Sequence, residues 1–150
     1  MTRYIPAFSW PQYIEDFVRA ELTERPILNV CCGDSPLGDV RMDVEILAGF
    51  FPADARGDMA ALPFKDDTFA AIFSDPPWDS TMKAKCAAFC KEAMRVAPVL
   101  YLMAPWIWGT HEAQLEKCWV RQHPGINAPI FVSKYRRRDV PEQGEPRQGE

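Results

Sequence analysis

Apolar positions along the chain alternate between helical spacing and short strand-length runs, and they predict a succession of helices and strands. Tyr13, Ile14, Phe17, Val18 and Leu22 recur at helical spacing. Ser9 precedes them as a cap with Gln12 three residues on, Pro11 falls in the first turn where its missing N–H does no harm, and Pro26 closes the segment. Strand-like segments follow at 27–31, 40–43, 55–58 and 69–74, the last an almost unbroken apolar run. From 80 to 96, Met82, Cys86, Phe89, Cys90 and Ala93 form one helical stripe, with Lys83, Lys85, Lys91 and Arg95 largely off it. Pro98 stops that helix, 99–103 predicts a fifth strand, and Thr110 is placed to cap a helix reaching about Cys118. Two last strands, 119–123 and 130–135, are joined through Pro124-Gly125. Strands alternating with helices predict an α/β fold with a mostly parallel sheet, an antiparallel last strand and helices on both faces. Such a sheet places ligands at the carboxyl ends of its strands.

Composition narrows the class. One hundred and fifty residues suit one domain, and 47% hydrophobic with 25% charged residues excludes a disordered or fibrous chain. No apolar run approaches the roughly 18 residues of a membrane span and the N-terminus lacks a signal-peptide core, so no membrane association and a cytoplasmic location are expected. Five cysteines without an export signal predict reduced thiols. Net charge is −4, of which residues 139–150 carry −3. That tail, rich in Pro, Gly, Gln and Glu, is predicted to be disordered, leaving a nearly neutral domain over 1–138. A polycation that coats nucleic acid is thereby excluded, and any electrostatic footprint must be local.

Candidate chemistry gathers at predicted strand ends. Asn29, Cys31, Cys32, Gly33, Asp34 and Ser35 form a turn of small residues after the first strand, where a ligand needs close backbone approach. Asp43 ends the second strand, placed to accept from ribose hydroxyls. Asp58 follows the third, where a carboxylate accepts from an adenine amine while the Met59 backbone reads the ring edge. Ser74-Asp75-Pro76-Pro77-Trp78 follows the fourth strand. Its two prolines remove two N–H donors and leave carbonyls to accept from elsewhere. An exocyclic aromatic amine is a poor nucleophile because its lone pair is delocalised into the ring. If the Asp75 carboxylate accepts one N–H and the Pro76 carbonyl the other, the nitrogen is drawn towards a tetrahedral shape and its lone pair faces an electrophile. Trp78 offers a stacking face worth roughly 1–3 kcal/mol, provided the base is out of its duplex.

On these residues the sequence resembles the class I S-adenosylmethionine-dependent methyltransferases, and at Asp75-Pro76-Pro77-Trp78 the N6-adenine amino-methyltransferases of nucleic acids. The resemblance spans about residues 27–135 and is especially close from Gly57 through Phe69. It implies a Rossmann-like methyltransferase sheet. It also implies that Cys31 to Ser35 meet the methionine part of S-adenosylmethionine, Asp43 its ribose and Asp58-Met59 its adenine, with Asp75 to Trp78 holding the target amine. Asn29 stands where the family usually has an acid, Cys31 and Ser35 stand for its outer glycines, and only Gly33 is retained. Ten residues separate Gly33 from Asp43, too few for a full helix between the first two strands. In the messenger-RNA adenosine methyltransferases the same tetrapeptide precedes the cofactor turn, so the chemistry is shared and the lineage is not.

Trp106 and Trp108, after the fifth strand, either flank a base or cover the end of the sheet. Lys134, Arg136, Arg137 and Arg138, with Lys83 and Lys85 behind the proline loop, either hold phosphates or are solvated. Cys86 and Cys90 lie on an apolar stripe and are read as buried thiols, and no metal is expected. Phe8 and Trp10 either close over the cofactor or pack the first helix. The expected reaction is methyl transfer to an exocyclic amine, N6 of adenine in DNA first and RNA second. With no stretch long enough for a target-reading domain, the enzyme either has loose specificity, pairs with itself as a homodimer, or borrows a recognition partner. The alternatives are a guanine amine or protein side-chain amide as acceptor, or a non-catalytic cofactor- or nucleic-acid-binding subunit.

Overall fold

A computed structural model describes residues 12–46, 48–77, 80–122 and 129–138, with backbone alone at 13–14 and 80–83. The elements are α1 (Gln12–Glu21), β1 (Ile27–Val30), β2 (Val40–Asp43), β3 (Ala55–Arg56), β4 (Ala71–Ser74), α2 (Ser80–Val96), β5 (Val99–Ala104), β6 (Ala113–Gln122) and β7 (Pro129–Arg137). The expectations for Ser9, Pro11, Phe8, Trp10, Trp78, the Pro124-Gly125 turn and the 139–150 tail lie outside the described residues.

One seven-stranded sheet has the order β3-β2-β1-β4-β5-β7-β6. β3, β2, β1, β4 and β5 pair in parallel, and β7 runs antiparallel to both β5 and β6. Side chains alternate across the strands and so feed two cores. Leu28, Val30, Ile72, Leu100 and Leu102 pack under Phe89, Cys90, Ala93 and Met94 of α2. Ala71, Phe73, Val99, Tyr101 and Met103 pack under Val18 and Leu22 of α1. β1, β4 and β5 are buried on both faces, which is why they read in the sequence as continuous apolar runs. No helix of the described chain is long and apolar enough to cross a membrane.

The expected helix from Thr110 to Cys118 is instead the first half of β6, a ten-residue strand at the sheet edge. The Thr110 hydroxyl bonds to Glu112, forming a local turn rather than capping a helix. Leu115 pairs with Tyr135 and Lys117 with Lys134, so Glu116 is an extra residue at a β-bulge. The bulge shifts the period-2 alternation by one position, and Leu115 and Cys118 then fall at a spacing that mimics a helical turn. Across the bulge Trp119 reaches the α1 face, edge-on to Phe17 and stacked on Tyr101.

The connections flanking β2 contain no helix among the described residues. Leu37 turns down into the α1-side core instead, and its carbonyl accepts from the buried Asn29 amide at 3.1 Å.

Candidate active site

The first four strand ends converge at the carboxyl edge of the sheet, where the order reverses between β1 and β4. The parallel register sets Val30 beside Ser74, so the residues that follow, Cys31 and Asp75, leave the sheet side by side. Ser74 is fully buried and its hydroxyl donates to the Val30 carbonyl at 2.7 Å, stitching the two turns at their base.

The β1 turn is held in a tight shape. Cys31 and Gly33 have φ of 58° and 53°. Left-handed backbone suits Gly33 but costs a cysteine roughly 1–2 kcal/mol, so neighbouring bonds must hold Cys31 there. Three do so: Cys32 N–H to the Met42 carbonyl at 3.1 Å, Gly33 N–H to Asp43 Oδ2 at 2.9 Å, and Ser35 N–H to the Cys32 carbonyl at 3.0 Å. Asp43 thus joins the ends of β1 and β2, its other oxygen accepting from Val44 N–H at 2.7 Å.

Asp58 follows β3. Its Oδ1 accepts from Ala60 N–H at 2.9 Å and lies 3.4 Å from Lys85 Nζ. These two contacts, Ala60 first, hold its carboxyl below the ordinary range. Met59 is buried, its sulfur 3.9 Å from Cys31 Sγ, which brings the β3 loop against the β1 turn. The Cys31 thiol is pushed up to about 12, first by burial and then by the Asp43 charge, with Asp75 adding to it. Cys32 is pushed up to about 12 by burial and again by Asp43. Both thiols are therefore protonated at neutral pH and serve as small turn residues rather than nucleophiles. The register that sets Val30 beside Ser74 places Asp75 next to the β1 turn that Asp43 braces. Asp75 is half-buried, Pro76 buried and Pro77 exposed.

The remaining candidates divide. Asn29 and Ser35 point inwards: the Ser35 hydroxyl accepts from Leu37 N–H at 3.2 Å, and both residues are buried. Asp34 accepts from Phe50 N–H at 3.2 Å and Phe51 N–H at 2.6 Å, tying the β2–β3 connection over the β1 turn. Trp108 is buried edge-on to Phe89, and its N–H and carbonyl both bond the Tyr135 hydroxyl. It covers the end of the sheet, with Trp106 half-buried on the same core. Lys85 reaches Asp58, while the Lys83 side chain lies outside the described residues.

The basic run is not at this site. β7 runs backwards, so Arg136 stands opposite Val99 at the start of β5. Lys134 pairs with Glu24 at 3.2 Å, Arg136 with Glu116, and Arg137 with Asp67 at 2.7 Å, while Arg138 donates to the Ala113 carbonyl at 3.4 Å. Ser74 and the Lys85–Asp58 bridge are the contributions that the sequence reading missed. A serine closing an apolar strand was the available signal for the first; nothing local pointed to the second.

Neither a protein-family model nor a curated protein matches the sequence. Solved structures match by shape. The PH0226 protein of Pyrococcus horikoshii superposes with a TM-score of 0.57 at 13% identity, covering 83% of this chain and 88% of that one. TrmN of Thermus thermophilus gives 0.57 at 14% identity, covering 82% of this chain and 47% of its own. An S-adenosylmethionine-dependent methyltransferase of Methanosarcina mazei gives 0.56 at 12% identity, covering 87% and 99%. Together with the strand order and the reversed β7, these likenesses give the chain the fold of the S-adenosylmethionine-dependent methyltransferases.

Proposed function

We propose that the chain transfers a methyl group from S-adenosylmethionine to an exocyclic amine, with N6 of adenine in DNA as the first acceptor and RNA as the second. The carrying observation is the juxtaposition of Asp75-Pro76-Pro77 with the Cys31–Gly33 turn, set by the Val30–Ser74 register. Fold likeness alone supports the reaction class; this pair of turns supports the amine.

The donor set fits the cofactor. Asp43 spends one lone pair of each oxygen on a backbone N–H and keeps the others for ribose hydroxyls. Asp58 bonds through Oδ1, leaving Oδ2 for an adenine amine among the described contacts. The turn from Cys31 to Gly33 would take the methionine portion. When bound, S-adenosylmethionine supplies an electrophilic methyl carried on a sulfonium. This chain's own task is to make the amine nucleophilic. Asp75 and the Pro76 carbonyl accept its two N–H bonds, and the proton released on methylation leaves towards the carboxylate.

Incubation with methyl-labelled cofactor and separate DNA, RNA and protein pools tests the reading. Label recovered as N6-methyladenine in DNA is expected. Label in protein alone, or cofactor binding with no label in any pool, overturns it.

A further inference from the structure

Charge is segregated in this nearly neutral chain. Residues 34–67 hold eight acids against three bases, whereas α2 and residues 134–138 together hold eight bases against Glu92 alone. The two basic stretches meet on one face, where Arg137 donates to the Met94 carbonyl at 2.9 Å. Between the C-terminal half of α2 and the starts of β6 and the end of β7 lies an open groove of about 890 Å³.

Its cations differ in what they are committed to. Arg95 is fixed by Glu92, Asp66 and two carbonyls, Arg136 by Glu116, and Arg137 by Asp67. Lys91 and Arg138 line the groove, are exposed, and form no ion pair among the described residues. Of the groove's acids, Glu116 is paired with Arg136, while Glu112 accepts from the neutral Thr110 hydroxyl and keeps its charge. The groove therefore presents Lys91 and Arg138, two cations without an ion pair among the described residues, and His111 on a floor of ion pairs, Arg138 also reaching the Ala113 carbonyl at 3.4 Å.

We propose that this groove is a second, remote contact for the phosphate backbone of DNA. It is joined to the active site by α2, whose first turn follows the Asp75–Pro77 loop and whose last turns form the groove wall. Seventeen residues of helix set the two about 25 Å apart. At about 3.4 Å per base pair that is roughly seven base pairs from the target. The acidic β2–β3 side repels a polyanion, so the backbone is guided along the α2 face. The choice of DNA as occupant rests on the proposed function; the groove and its two unpaired cations do not.

The test uses two fluorescent DNA hairpins, with three and with twelve base pairs flanking the target adenine on each side. It compares wild type with the Lys91→Glu/Arg138→Glu double variant by anisotropy over a salt series. Both side chains are exposed, and thermal melting checks that the variant folds. The long hairpin is expected to lose about tenfold or more in affinity, with the slope of log K against log salt falling by about two, while the short hairpin changes less than about twofold. Equal binding of the long hairpin by both proteins overturns the proposal, and so does equal weakening on both hairpins. Methyl transfer to adenine with no length dependence of binding removes the groove and keeps the enzyme. Length-dependent, variant-sensitive binding with no transfer does the opposite.

Discussion

The two ends of the sheet treat their charges in opposite ways. At the carboxyl end, Asp34, Asp43 and Asp58 are held mainly by backbone N–H groups. Asp34 and Asp43 form no ion pair among the described residues, Asp58 meets Lys85 at 3.4 Å, and lone pairs remain for a ligand. At the amino end, Arg95, Arg136 and Arg137 each meet a carboxylate, and their work is to fasten loops and edges. Arg95 alone secures the Leu62 and Phe64 carbonyls, while its partner Glu92 takes the Leu62 N–H at 2.8 Å. Backbone-held carboxylates cost little side-chain entropy and stay aimed, which a binding site needs. Exposed ion pairs contribute little each and act by geometry.

The strongest way to break this contrast is at Asp75. Asp75→Ala removes the carboxylate that leaves the sheet beside Cys31. Methyl transfer is expected to fall at least about 100-fold in kcat, the range of a lost proton acceptor. Cofactor affinity should stay within a few-fold. Retained turnover would exclude the role assigned to this side chain, and single-turnover assays beside calorimetry separate the two effects.

Much of this end of the molecule was legible in the sequence because its logic is local. β1, β4 and β5 announce themselves as apolar runs, and Asp43 ends its strand while Asp58 and Asp75 follow theirs within two residues. The amino end was not legible, because its pairs join residues far apart: Arg95 with Asp66, Arg137 with Asp67, Lys134 with Glu24. The run at 134–138 read as a phosphate site or a solvated strand end, and only the direction of β7 places it at the end of the sheet away from the Asp75 turn. The bulge at Glu116 misled in a different way, since one extra residue gave two short strand phases the look of a helix. Asp34 lay in the right turn and Asn29 in the strand that enters it, yet pattern alone could not say which side chains point outward.

A reciprocal pair of substitutions sharpens the comparison at intermediate size. Asp43→Ala deprives Gly33 N–H and a ribose of a charged acceptor, and cofactor Kd should rise about 10- to 100-fold. Arg137→Leu removes an ion pair and a bond to the Met94 carbonyl, and should lower Tm by about 2–4 °C while leaving cofactor Kd unchanged. If Arg137→Leu weakened cofactor binding as much as Asp43→Ala, the two ends would not be separable in the way their contacts indicate.

The smallest effect is silent at neutral pH and appears only in alkali. Folded Cys31 keeps its proton up to about pH 12, against an ordinary value of 9.0, because burial and the Asp43 charge oppose the thiolate. Between these values the unfolded chain has released a proton that the folded chain still binds. Stability from this group is therefore complete below pH 9 and declines as pH rises towards 12. Cys32, also pushed up to about 12, contributes in the same direction. Cys31→Ala removes one of these protons, so urea midpoints measured from pH 8 to 10.5 should fall less steeply than in wild type, by up to about 1.4 kcal/mol per pH unit. No such change is expected for Cys31→Ala below pH 8. Parallel curves for the two proteins through pH 10.5 would mean that the thiol is not enclosed between the β1 turn and the carboxylates.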